Sequence, residues 1–113
     1  MAITPKQVTV TVTTAGTRVQ VTTDTAIRPH AVYFEALSSN TGQIYIGDVL
    51  VSSTVYMARL TIPSTTSAPS WQISSPAGAG HAGGTGIQLS NMYIDSSVNG
   101  EKVQVTYVYN TGV

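Results

Sequence analysis

The sequence predicts an all-β protein: an antiparallel β-sandwich, jelly-roll-like in type, forming a single domain over residues 1–113. Three observations predict it. Thr and Val are the commonest residues, and β-branched side chains favour extended backbone over helix. Short runs alternate apolar and polar residues, and no window carries a 3.6-residue period. Turn residues separate these runs at short intervals, giving about eight short strands in the pattern of a sandwich or barrel. A chain of 113 residues is one domain and can bury a real core without a metal or a disulfide.

Residues 1–7 (MAITPKQ) lack the apolar centre of a signal peptide and read as an N-terminal arm. From Val8 to Thr13 the run VTVTVT alternates strictly, and RVQV follows at Arg18 to Val21. A tight turn at Ala15-Gly16 would set Val12 against Val19 and Val10 against Val21. Next, Val32, Phe34 and Ala36 alternate with Tyr33 and Glu35. Ile44 and Ile46 flank Tyr45, and a turn at SNTG puts Phe34 opposite Ile46. Thr54 to Ile62 alternates with Arg59 on one face. Residues 63–86 then break the rhythm with prolines, serines and glycines, and read as a long insertion holding one small strand at Ser70 to Ser74. Ile87 to Leu89 starts a further strand. Asn99-Gly100, a strong hairpin signal, would pair Met92 with Tyr107, Ile94 with Val105 and Ser96 with Val103, leaving Asp95 and Ser97 opposite Gln104 and Lys102 on the polar face.

Charge is sparse: 9% of residues, five basic against five acidic. Without a basic face, nucleic acid is a poor partner. The uncharged middle of the chain is too polar for a membrane span. A near-neutral surface has little repulsion to keep copies apart, which points to assembly.

Chemistry-bearing motifs fail on context. Gly78, Gly80 and Gly83 have the spacing of a dinucleotide-binding turn, but Pro76 precedes them and a strand-like segment follows. A P-loop would need Lys where Gly84 stands. The stretch reads instead as a mobile loop of small residues. His30 and His81 lack a second ligand at metal-binding spacing. Absence of cysteine removes thiolate sites. Asp48 and Asp95 end two echoed stretches, IYIGD and MYIDS; side by side they would form a carboxylate pair or a calcium site, whereas singly they are turn residues. No G-x-S-x-G elbow occurs. The expectation is a non-enzyme with no cofactor, no metal and no small-molecule substrate. Candidate interface residues are Trp71, Tyr56, His81, Tyr107 and Tyr109: aromatics suit a core or a subunit contact, and Trp71 with Tyr56 could stack a sugar.

The segments NTGQIYIGD and MYIDSSVNGEKVQVTYVY, with TAGTRVQV at Thr14 to Val21, resemble small β-sandwich virion proteins of tailed bacteriophages. The resemblance spans residues 8–53 and 87–109; residues 63–86 depart from it. It implies a structural viral protein, a homotrimeric head decoration or cement protein. Such a protein is made in the host cytoplasm and binds the major capsid protein on the outer surface of the virion. The alternative is a glycan- or host-surface-binding module of a tail or head fibre.

Overall fold

The computed structural model describes residues 2–61, 69–74 and 87–111, with side chains from residue 5 to residue 108 of these. Eight strands follow in chain order: β1 (Ala2–Val12), β2 (Val19–Gln20), β3 (Ala31–Ala36), β4 (Gln43–Gly47), β5 (Ala58–Thr61), β6 (Ser70–Ser74), β7 (Tyr93–Ser96) and β8 (Glu101–Thr111). They form two antiparallel sheets of four strands, ordered β1-β8-β3-β6 and β2-β7-β4-β5. The chain is a β-sandwich, as its alternation predicts.

The pairing is nested. β1 pairs with β8, β2 with β7, β3 with β6 and β4 with β5, as in one long hairpin doubled over on itself. The further pairs β3–β8 and β4–β7 close the two sheets. The inner faces supply the core: Val10, Val12, Val32, Phe34, Val103 and Val105 from one sheet, Ile44, Ile46, Leu60 and Ile94 from the other. Each such side chain contributes on the order of 1.5–3 kcal/mol by leaving water.

The expected hairpins are a different structure. β1 and β2 lie in opposite sheets, as do β3 and β4, and β7 and β8. Val12 and Val19, Phe34 and Ile46, and Ile94 and Val105 therefore belong to facing sheets and are not ladder neighbours. The reason is geometric. A hairpin and an arch between two sheets both turn alternate residues toward one apolar interior, so period-two alternation satisfies either. Occupancy decides between them: β8 is flanked by β1 and β3, and β7 by β2 and β4. Among the described strands, of all consecutive pairs only β4 and β5 share a sheet. Three smaller differences follow. Residues 2–7 are no separate arm; they are the first half of β1, paired with residues 106–111. Strand β5 is shorter than the alternation from Thr54 suggests. Ile87 to Leu89 is not a strand: the Ile87 and Leu89 N–H groups donate to the Pro29 and Ile27 carbonyls, and a 3-10 turn follows at Leu89–Asn91.

The three arches, residues 13–18, 37–42 and 97–100, meet at one end of the sandwich, where side chains satisfy their backbone. Glu101 is only 3% exposed. Its carboxylate accepts the N–H groups of Thr41 (2.9 Å) and Gly42 (2.6 Å). Buried Asn40 brackets Lys102, accepting its N–H at 2.9 Å and donating to its carbonyl at 2.7 Å. Asp95, 2% exposed, accepts the N–H groups of Gly16 and Ser96. Asn99 accepts from Ala15 N–H, and Ser97 Oγ from Gln43 N–H. Gly16 and Gly100 hold positive φ (87° and 81°), as these arches require. Asn99-Gly100 does turn the chain, but from one sheet to the other.

Two substitutions test the clamp. A Cβ at Gly42 would lie 2.5 Å from Ser97 Oγ and 2.6 Å from Val98 Cγ2. Gly42→Ala is expected to destabilise by about 1–3 kcal/mol, since Ser97 cannot yield without releasing Gln43. Glu101→Ala, which takes the acceptor from the Thr41 and Gly42 N–H groups, is expected to cost roughly 1–3 kcal/mol. Urea denaturation of both variants measures these losses.

Candidate interaction surface

Among the described residues no group of three or more His, Asp or Glu side chains could hold a metal. Three of the carboxylates have structural tasks. Asp95 and Glu101 are engaged by arch amides, as above. Asp48 accepts the Leu50 N–H at 2.9 Å in a local turn. The echoed stretches are neighbours, with Tyr45 opposite Asp95 and Gly47 opposite Tyr93. Asp48 thus lies three residues along the strand from the level of Asp95, roughly 10 Å away. The two do not form a carboxylate pair.

The expected interface residues scatter. Trp71 sits on edge strand β6 opposite Phe34, its ring 5.8 Å from the Phe34 ring, and it packs with Ile73 against the core. Tyr107, on β8 opposite Lys6 and Val32, is half-buried against the same core. Tyr109 pairs with Thr4 through its backbone, and its side chain lies outside the described residues. His81 lies outside them too, with the rest of 75–86. Tyr56 is exposed in the β4–β5 connection, 5.5 Å from the Tyr45 ring and with the Arg59 guanidinium 5.9 Å from its centroid. Trp71 and Tyr56 therefore rest on different aromatic partners, attached to different sheets.

Tyr56 has company that the sequence reading missed. The connection from residue 48 to residue 57 exposes Val49, Leu50, Val55, Tyr56 and Met57, with Leu50 67% accessible. Within it, Val51 is 2% exposed and reaches back to the sandwich over Gly47, where a Cβ would stand 3.1 Å from Val51 Cγ2. Hydrogen bonds fix the loop around this anchor. Val51 N–H donates to the Asp48 carbonyl, Ser52 N–H to the Val55 carbonyl and Met57 N–H to the Ile46 carbonyl. The Ser52 hydroxyl accepts from the Thr54 and Val55 N–H groups. The loop is thus a braced platform that holds apolar side chains in water. Exposed apolar side chains gathered in one braced loop make it a candidate interaction surface. Its sequence signal was the unalternating DVLV before SST, which fits neither a strand nor an ordinary polar turn.

Among the described residues no helix is long and apolar enough to cross a membrane. Comparison of the chain with protein-family models, curated proteins and solved structures finds no match.

Neighbouring substitutions should behave oppositely. Leu50→Asp and Met57→Asp are expected to leave stability within about 0.5 kcal/mol, because both side chains already face solvent. Val51→Asp buries a carboxylate without a partner and is expected to cost roughly 3 kcal/mol or more. Thermal melts of the three proteins check this contrast.

Proposed function

We propose that this chain is a structural protein of a phage virion, a head decoration protein that binds the outer capsid and strengthens contacts between major capsid subunits. The observation that carries the reading is the braced apolar loop 48–57. It offers Leu50, Val55, Tyr56 and Met57 to a partner on a surface with few charges. Contacts of this chemistry release free energy only when the partner is present, so they stabilise the assembled shell and not the free protein. The nested pairing of β1 with β8, β2 with β7, β3 with β6 and β4 with β5 supports describing the sandwich as a jelly roll, an architecture used by viral capsid domains. The resemblance of NTGQIYIGD and MYIDSSVNGEKVQVTYVY to tailed-phage virion proteins supports the same reading. In this reading the protein is not an enzyme and acts by binding alone. The glycan-binding alternative keeps exposed Tyr56 but loses the paired platform, since Trp71 packs against Phe34.

Mixing the purified protein with undecorated capsids tests the proposal. Co-sedimentation is expected, together with a higher capsid melting temperature. Binding should change little between about 0.1 M and 1 M salt, because screening acts on charge and not on apolar contact. Leu50→Asp should weaken it roughly tenfold or more, as a carboxylate must then be desolvated at the contact. Failure to co-sediment overturns the reading.

A further inference from the structure

Among the described residues strand β1 is an open sheet edge: it pairs with β8 on one side, and none of the other described strands lies on the other. Which of its main-chain groups face outward follows from β8. Val108 accepts from His30 N–H, and Lys102 is bracketed by Asn40, so both residues turn their main-chain groups toward the β3 side. Their β1 partners, Pro5 and Thr11, therefore sit in non-hydrogen-bonded pairs with their own groups pointing away from β8. By alternation Gln7 and Thr9 do the same. Pro5, which has no N–H, takes one of these outward positions without weakening the β8 ladder.

Natural edges are usually blunted by charge or proline. From Gln7 to Thr17 this chain has neither, with Pro5 and Lys6 before the stretch and Arg18 after it. The open stretch is also complementary to itself. An antiparallel copy centred on Thr9 sets Thr9 opposite Thr9 and Gln7 opposite Thr11, so the outward groups meet as hydrogen-bonded pairs. Pro5 falls beyond the far end of the copy's strand. Val8, on the inner face with Val105 yet 37% exposed, would lie opposite Val10 of the other copy.

We propose that β1 pairs with β1 of a second copy of this chain about a two-fold axis at Thr9. Roughly six main-chain hydrogen bonds would form, joining two four-stranded sheets into one. The proposal is independent of capsid binding. It closes as a dimer, whereas the phage resemblance implies a trimer.

Sedimentation of the whole chain across about 1–100 µM, with amide exchange read at single residues, tests it. A dimer is expected, with slow exchange at Gln7, Thr9 and Thr11 that becomes fast on dilution. Thr9→Pro removes both hydrogen bonds at the axis and should weaken the dimer roughly tenfold or more. Thr9→Val keeps the N–H, loses only the hydroxyl bond to Gln104, and should leave the dimer intact. Thr9→Lys, on the solvent face, sets like charges opposite each other and should also favour monomer. It serves if Thr9→Pro does not fold. A monomer or trimer at about 100 µM, or a dimer indifferent to both Thr9→Pro and Thr9→Lys, would overturn the proposal.

Discussion

The fold depends on satisfying backbone polar groups where the chain crosses between sheets. Facing sheets stand about 10 Å apart, and each arch must carry several N–H and C=O groups over that gap out of reach of either ladder. Glu101 and Asn40 resolve this for the β3–β4 arch, with Asp95 and Asn99 serving the β1–β2 arch. A buried carboxylate is costly unless it accepts hydrogen bonds, and here main-chain N–H groups donate to both Glu101 and Asp95. The same groups fix how the sheets face each other, because each ties an arch to a segment distant in sequence. The apolar core makes collapse favourable; this polar cluster selects one connection scheme from those the core would accept.

That division explains what was legible in the sequence. Strand existence was legible, since Val10, Val12, Phe34, Ile44, Ile46, Ile94, Val103 and Val105 follow period two and all are buried. Strand β6 matches its expected bounds, Ser70 to Ser74. Partner choice was not legible. Asn99-Gly100 favours a tight reversal whether the chain returns beside itself or crosses to the facing sheet, because the positive φ of Gly100 serves both. The deciding contacts, Glu101 with Thr41 and Asn40 with Lys102, join positions about 60 residues apart in the chain. Asp95 looked like a turn former and is a buried acceptor within a strand.

The candidate surface was legible only through Tyr56. Aromatic content drew attention to Trp71 and Tyr107, and packing against the core takes up much of both. What exposes Leu50 and Met57 is the neighbouring arrangement: Gly47 leaves room for Val51, and Val51 alone of its run turns inward. A loop with one inward anchor and several outward apolar residues has no period to detect. Such a surface is found by burial, not by pattern.

The position of β8 bears on how this protein is made. It is the last of the described strands, yet it lies between β1 and β3 in its sheet. During synthesis β1 therefore waits, without its ladder partner, until residues as late as Thr111 have left the ribosome. Pairings between such distant segments close slowly, because the entropy of the intervening chain must be lost before any contact compensates. Throughout that wait the uncharged VTVTV stretch has both edges open, so the nascent chain is the species most prone to pairing with others.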